Sequence, residues 1–284
     1  MTKRSMLRLL DRPGGRWALQ ALTNAIAKRK LGPHAASVFW DGQMWLHRCG
    51  SDVFPDFPYY DYSIISFLSW PAQAVEWEQN ARSFWFHVYQ PKPGDVIVDV
   101  GAGRGEDTFA FSRAVGPLGR VLAVEAHPET FVYLQKMVEY NRLDNVRTLN
   151  LAVSDAPGDV FINTGPDWQG NSITGVSSAG GHRVPADTLD NLLDREGLSR
   201  VDFLKMNIEG AEAAALRGMV RSQSRIRSVC IACHDFLADS GAGDHLRTRA
   251  GVTVALKQMG FNVVFRDDAA EPWVRDHVHG FRTT

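Results

Sequence analysis

Cysteine is scarce in this 284-residue sequence, and no apolar run is long. The three cysteines, Cys49, Cys230 and Cys233, are too few for a disulfide framework. The most apolar stretch, residues 64–70, ends at Pro71 and is far shorter than the roughly 20 residues that cross a bilayer. No export signal is recognisable near the N-terminus. We therefore predict a protein of the reducing cytoplasm with no transmembrane helix.

The sequence also has little net charge. The formal charge of −1 and the pI of about 6.8 provide no overall field that would recruit nucleic acid. Residues 1–30 are an exception, because they contain eight basic residues and only one acidic residue, Asp11. We interpret this segment as a solvated helix face, with contact to a membrane surface as the alternative. The sequence leaves the formation of a homo-oligomer open.

Two zones differ in pattern. Residues 1–91 are predicted to form an N-terminal elaboration, with helices over 16–29 and 72–89 and a β-hairpin over 37–47. An aromatic cluster in this zone is interpreted as its core, with stacking on an acceptor molecule as the alternative. It consists of Trp40, Trp45, Tyr59, Tyr60, Tyr62 and Trp70.

Residues 92–284 alternate predicted strands and helices, which is typical of a parallel sheet with helices on both faces. Strands are expected at 95–100, 120–126, 146–153, 160–163, 201–208 and 228–234, with a final antiparallel pair at 261–266 and 277–281. Helices are expected at 107–115, 128–141, 188–196 and 211–220. The fold class is therefore α/β.

A glycine-rich turn follows the first of these strands, in the sequence DVGAGRGEDT from Asp99 to Thr108. Glycines let the backbone approach a ligand, and the next helix offers unpaired N–H groups there. Glu125 ends the next strand, where a carboxylate can bind both hydroxyls of a ribose. The dinucleotide fingerprint requires glycine at the position of Glu106. We therefore favour S-adenosylmethionine over NAD as the cofactor, because it carries no phosphate for Glu106 to repel.

Several motifs resemble the FkbM family of class I S-adenosylmethionine-dependent methyltransferases. They are VDVGAGRG (98–105), VEAHP (124–128), LAVSD (151–155), DTLD (187–190) and DFLKMNIEGAE (202–212). The last two are characteristic of that family. The resemblance implies a Rossmann-like, mostly parallel seven-stranded sheet. It also implies O-methylation of a hydroxyl on a small molecule, such as a sugar or a polyketide-type natural product.

The resemblance implies a cofactor site along the carboxyl edge of the sheet. The residues it assigns to this site are Asp99, Gly101, Ala102, Gly103, Gly105, Thr108, Glu125, Ala126, His127, Ala152, Ser154, Asp155 and Asn207. The first glycines would line the methionine and ribose parts, Glu125 would hold the ribose diol, and residues 152–155 would border the adenine. The segment 205–212 would be the chemical centre.

Removing a proton from a hydroxyl requires a base, and three residues are candidates for the catalytic machinery. His234, at the end of a predicted strand, is the first choice, because neutral imidazole accepts a proton near pH 7. Glu209 is the second, with a helix cap as its alternative role. Asn207 stands where the family usually has aspartate, so it can orient groups but cannot act as a base. Ala232 replaces another usual carboxylate, and no metal site is predicted.

Residues 163–183 contain five glycines and are predicted to be a structureless lid over the cofactor side. Four residues there are candidates for binding the acceptor: Asp167, Trp168, Asn171 and Ser172. Because Asn207 and Ala232 replace carboxylates that are usual in the family, a non-catalytic cofactor-binding module is an alternative function. An NAD-dependent oxidoreductase is a third.

The spacing C-x-x-C-H at 230–234 is typical of haem attachment, but it falls in a predicted strand. Cys230 and Cys233 would then face opposite sides of the sheet and could not share a ligand. Both are interpreted as core residues, and His277 and His279 as surface or core residues rather than metal ligands.

Overall fold

The computed structural model describes residues 10–32, 34–56, 67–162, 173–174 and 181–283. Contacts divide the chain into two compact units, Met1–Gln79 with Lys136–Arg142, and Asn80–Gln135 with Leu143–Thr284. The predicted acceptor residues at 167–172 lie outside the described residues, as do Tyr59, Tyr60 and Tyr62.

The first unit contains a helix, α1 (Arg16–Leu31), and an antiparallel sheet of three strands, β1 (Ala36–Trp40), β2 (Trp45–Cys49) and β3 (Asp52–Pro55). The predicted hairpin is present in β1 and β2, and β3 extends it. Trp45 and Trp70 are buried, and the Trp70 ring stacks on His47 at 4.0 Å between centroids. These two members of the predicted aromatic cluster are therefore core residues of this unit.

From Trp70 onward the chain alternates helices and strands, as predicted for residues 92–284. The strands are β4 (Val96–Val100), β5 (Arg120–Glu125), β6 (Val146–Asn150), β7 (Ala152–Val153), β8 (Gly158–Ile162), β9 (Ile173–Thr174), β10 (His182–Asp187), β11 (Val201–Met206), β12 (Ile226–Ala232), β13 (Asn262–Val264) and β14 (His277–Phe281). The helices are α2 (Trp70–Trp85), α3 (Glu106–Val115), α4 (Pro128–Asn141), α5 (Leu189–Arg195), α6 (Glu212–Arg217), α7 (Asp235–Asp239), α8 (Arg249–Gln258) and α9 (Pro272–Arg275).

Seven strands form the main sheet in the order β13-β14-β12-β11-β4-β5-β6. Adjacent strands from β12 to β6 are parallel, and β14 pairs antiparallel with both β12 and β13. The chain thus crosses from β4 outward to β6 and returns to β11 beside β4, which leaves a crevice at the carboxyl ends of the strands. The predicted Rossmann-like α/β fold is confirmed.

Side chains alternate between two buried layers, because successive residues of a strand point to opposite faces. On one face, Val98 and Leu204 pack with residues of α5, α6 and α8. On the other, Ile97 and Phe203 pack with residues of α3 and the end of α2. Near-continuous burial of apolar residues in β4 and β11 is what a central parallel strand requires. Each large side chain so buried contributes about 1.5–3 kcal/mol.

Some predicted boundaries were wrong. The strand expected over 146–153 is two, because the chain leaves the main sheet after Asn150 and β7 joins a second sheet of order β7-β10-β8-β9. This sheet includes residues 173–174 and 182–183, which were expected to be structureless. The helix expected from 211 begins at Glu212 and ends at Arg217, so Glu209 lies outside it.

Within the described part of the chain, no helix is both long and apolar enough to cross a membrane. Lys28, Arg29 and Lys30 are exposed at the end of α1, and Trp17 is 74% exposed on the same helix.

Candidate active site

A cavity of about 770 Å³ opens at the carboxyl ends of the parallel strands. Its wall comes from the glycine turn after β4, the ends of β5, β11 and β12, and the segment around β7. Nine residues predicted for the site line it: Gly101, Gly103, Glu125, Ala126, His127, Ala152, Asn207, Glu209 and His234. The fold therefore brings together residues that are more than 130 positions apart in the sequence.

The glycine turn approaches the end of β11 very closely. Gly101 has a φ of +73°, which favours glycine, and a Cβ placed on it would overlap the backbone carbonyl of Asn207. The backbone N–H of Asn207 donates to the carbonyl of Val100 at 3.0 Å. This contact fixes the position of Asn207 at the floor of the cavity.

A buried lysine also contacts the glycine turn. Lys205 is 1% exposed, donates to the carbonyl of Gly101 at 2.7 Å and pairs with Asp99 at 2.9 Å. Thr108 donates to the other oxygen of Asp99 at 2.6 Å. Asp99 and Thr108 are thus buried beneath the turn and do not line the cavity. Their carboxylate and hydroxyl hold the turn in shape.

We expect Gly101→Ala to destabilise the protein far more than a glycine replacement that meets no neighbour. Gly116, with a φ of +65° and nothing within 4 Å of an added Cβ, is the matched control. Gly116→Ala should cost about 1–3 kcal/mol for its backbone conformation alone, with φ +65° and ψ −176°, whereas Gly101→Ala should cost about 1–3 kcal/mol more than that, because atoms must also move apart. Urea unfolding followed by circular dichroism measures both, and equal losses would contradict the close approach.

Glu125 presents a carboxylate to the cavity at the end of β5. One oxygen accepts the backbone N–H of Gly103 and the other that of His127, each at 2.8 Å. The side chain is 8% exposed. Burial raises its pKa from 4.5 to about 7, although the two hydrogen bonds oppose the rise. The remaining lone pairs of both oxygens can accept the two hydroxyls of a ribose.

His234 lies between two glutamates just after β12. Its Nε2 is 3.1 Å from Oε1 of Glu209, and its Nδ1 is 3.8 Å from Oε1 of Glu212. Burial lowers the pKa of His234, but the hydrogen bond with Glu209 and the charges of Glu209 and Glu212 outweigh it, so the pKa is raised above 6.5. His234 and Glu209 therefore share a hydrogen bond and titrate as a coupled pair.

The backbone of Glu209, one member of the His234–Glu209 pair, is strained. Glu209 has a φ of +50°, which is uncommon for a residue with a side chain. One oxygen of Glu209 and the side-chain oxygen of Asn207 are buried with no hydrogen-bond partner among the described residues. Buried polar atoms without partners cost about 1–3 kcal/mol each and are expected where a ligand completes the bonding.

Other residues predicted for the site lie elsewhere around it. Ala102 and Gly105 belong to the turn but do not line the cavity, and Ser154 and Asp155 follow β7 outside it. Asp155 is paired with Arg217 at 2.8 Å, which lowers the pKa of its carboxyl. The leucine and valine beside Ala152, Leu151 and Val153, line the wall instead.

Several residues that line the cavity were not predicted from the sequence. Phe84 and Trp85 come from the end of α2, Phe236 and Leu237 from α7, and Trp273 from α9. His277 also lines the cavity. The aromatic sequence SFWF at 83–86 was a usable signal, because such a run directly before an α/β pattern marks side chains able to cover a ligand.

The residues present fit S-adenosylmethionine. Glu125 supplies paired acceptors for a diol, and the side-chain oxygen of Asn207, buried without a partner, suits an ammonium group. The glycine turn supplies a backbone surface that a Cβ would block. Leu151, Val153 and Ile162 supply an apolar wall for a flat base.

Comparisons with known proteins support S-adenosylmethionine as the cofactor. Residues 99–263 match the model of the methyltransferase FkbM domain. "Methyltransferase 1" of Beauveria bassiana is 26% identical over 191 residues, which is 59% of this chain and 76% of that protein. "Hexuronic acid methyltransferase AglP" of Haloferax volcanii is 25% identical over 140 residues, 49% of this chain and 56% of that protein.

Among solved structures, the methyltransferase FkbM from Methylobacillus flagellatus KT is similar in fold. The TM-score is 0.50 and the identity 15%, and the match covers 80% of this chain but only 56% of that one. The chain thus spans a little over half the length of this structure and of the Haloferax protein.

Proposed function

This chain belongs to the FkbM family of S-adenosylmethionine-dependent methyltransferases, and from that premise we propose that it methylates a hydroxyl oxygen of a small molecule. The observation that carries the proposal is the His234–Glu209 pair, with 3.1 Å between Nε2 and Oε1, at the wall of the cavity. Methylation of a hydroxyl requires removal of its proton, and this pair is built to receive one.

The acceptor class follows from the cavity and from one relative. The cavity of about 770 Å³ is large enough for a cofactor and a small acceptor together. The Haloferax relative is named as a hexuronic acid methyltransferase. We therefore put a sugar or sugar acid first among the acceptors, ahead of polyketide-type molecules. We place the reaction in the cytoplasm, in keeping with three free thiols.

The cofactor supplies a methyl group already activated by a sulfonium. The protein's task is then to align the acceptor oxygen with that methyl and to take one proton. Glu125, the glycine turn and Asn207, which line the cavity, would hold the cofactor. Phe84, Trp85 and Phe236 present aromatic rings to the same cavity, and such apolar surface would keep water from the reacting groups.

The proton goes to the pair as a unit. In neutral His234 the Nε2 proton is donated to Oε1 of Glu209, which leaves the pair short of one proton. A hydroxyl brought beside the pair would give its proton to Nδ1 of His234, which is buried without a partner among the described residues, as the bond from oxygen to the methyl forms and that from sulfur to the methyl breaks. His234 then carries the positive charge, which Glu209 and Glu212 stabilise.

Mass spectrometry with S-adenosylmethionine that carries a deuterated methyl group tests the proposal. A panel of sugars, sugar acids and hydroxylated polyketides should yield one member that gains a single labelled methyl. The product should survive mild alkali, because an ether is stable where a methyl ester hydrolyses. Label in an ester or an amine would contradict O-methylation of a hydroxyl. Binding of S-adenosylhomocysteine without turnover of any acceptor would favour a non-catalytic module.

A further inference from the structure

A second group of reactive side chains lies under the sheet, on the face that packs against α2 and α3. Cys230 of β12 is paired in register with His279 of β14, and His277 stands two residues before it on the same strand. All three are buried, at 0%, 0% and 3% exposed. One donor atom from each lies within 4.8 Å of the others.

These side chains have few other partners. The Sγ of Cys230 is 3.9 Å from Nε2 of His279, and Nδ1 of both histidines is buried without a partner among the described residues. The ring of His277 stacks on Trp85 at 4.7 Å between centroids. A buried ring nitrogen without a hydrogen-bond partner is available to coordinate an ion.

We propose that Cys230, His277 and His279 form a binding site for a divalent ion of the zinc class. One thiolate and two imidazoles are a donor set that zinc and cobalt prefer, whereas magnesium and calcium require oxygen. The site is assigned from this chain's residues alone and does not depend on the identity of the methyl acceptor.

The distances suit such an ion after small movements. Bonds of about 2.3 Å to sulfur and about 2.1 Å to nitrogen separate two tetrahedral ligands by about 3.6 Å. The observed 3.9 Å between Sγ and Nε2 must therefore shorten by a few tenths of an ångström. The remaining donor separations are at most 4.8 Å and must shorten toward the same tetrahedral spacing, by about 1 Å.

Charge and access also suit the ion. The ammonium of Lys205, on the neighbouring strand, is neutralised by Asp99 at 2.9 Å. The exposed His87 has its ring 5.0 Å from that of His279, so it is a candidate for the fourth ligand and marks the route from solvent. On binding, the thiol of Cys230 loses its proton to solvent, and the sulfur bonds to the metal as thiolate.

The position gives the ion a structural role in the site. His277 lines the cavity of the proposed active site and belongs to this cluster as well. Fixing its ring would therefore hold one wall of the cavity, together with the Trp85 that stacks on it.

Cobalt is the probe that reports the ligands directly. The full chain, purified without a histidine tag and treated with chelator, is titrated with Co²⁺. We expect one equivalent to bind, with the ultraviolet charge-transfer band of a cobalt–thiolate bond and the visible bands of tetrahedral cobalt. Zinc should displace the cobalt and raise the Tm by about 5 °C or more when present at a hundred times its Kd.

Variants assign the ligands. Cys230→Ala should abolish the charge-transfer band, and His279→Phe should weaken binding at least about tenfold. Cys233→Ala is the matched control, because Cys233 is also buried near the end of β12 but packs in the opposite layer; it should bind as the wild type does. Absence of the band in folded wild-type protein, or its persistence in Cys230→Ala, would overturn the proposal. Should Cys230→Ala not fold, the wild-type spectrum and His279→Phe decide.

Discussion

Replacing His234 with glutamine is expected to lower kcat by about 10²- to 10⁴-fold, the range that removal of a general base typically costs. Glutamine retains an N–H donor for Glu209 but cannot take a proton. The affinity for S-adenosylhomocysteine should stay within a few-fold of wild type, because the cofactor contacts we assign lie on Glu125, Asn207 and the glycine turn. Single-turnover kinetics and isothermal titration separate the two effects. A loss of cofactor affinity as large as the loss of rate would refute the assignment.

The pH profile distinguishes a base from a merely structural histidine. The pKa of His234 is raised above 6.5, and only the unprotonated form accepts a proton. The rate should therefore rise with pH up to that pKa and then level off, and this rise should vanish in His234→Gln. Glu209→Gln removes a carboxylate that raises the pKa, so its rise should move to lower pH. A rise that stays in place would contradict the coupling of the two residues.

Glu125→Ala is expected to weaken S-adenosylhomocysteine binding by about 10³-fold. Two hydrogen bonds to a charged acceptor contribute about 1.5–3 kcal/mol each, and the backbone N–H groups of Gly103 and His127 lose their acceptor as well. Isothermal titration measures the change. Asp155→Ala is the control, since it removes a carboxylate that sits outside the cavity and pairs with Arg217. Equal losses in both variants would contradict the role given to Glu125.

The affinity of the wild type should also depend on pH. Glu125 has a pKa of about 7 when the cavity holds no ligand, and its carboxylate is the form that accepts both ribose hydroxyls. Affinity should therefore fall below about pH 7, by at most about tenfold per pH unit, and level off above it. The Glu125→Ala variant should lack this dependence.

The sequence predicted the parallel sheet well, because buried strands such as VIVDV and VDFLKM are continuous apolar runs interrupted at few positions. Neither β10 nor α8 was predicted, because each depends on contacts with distant parts of the chain. β10, HRVPAD, has a proline and exposed alternate residues, and it gains its stability from pairing with β8. The α8 segment, RAGVTVALKQ, contains glycine and β-branched residues that disfavour a helix until Val252 and Leu256 are buried.

The candidate site was predictable where it follows strand ends, and less so where it depends on packing. Glu125, Asn207 and His234 each come at or just after the end of a parallel strand, and this position, together with the resemblance to the FkbM family, predicted that they lie together. Trp85 and His277 reach the cavity from elements whose placement only the packed sheet determines. Hydrophobic periodicity predicts local elements but gives no information about contacts between segments that are distant in the sequence.

The backbone of Glu209 has a consequence for engineering. A left-handed residue with a side chain stores about 1–2 kcal/mol that glycine would release. A selection for heat resistance alone would therefore favour glycine at this position and, in doing so, remove the carboxylate that His234 needs. Libraries meant to yield a robust and active variant should hold position 209 fixed and seek stability in the first unit or on exposed helix faces.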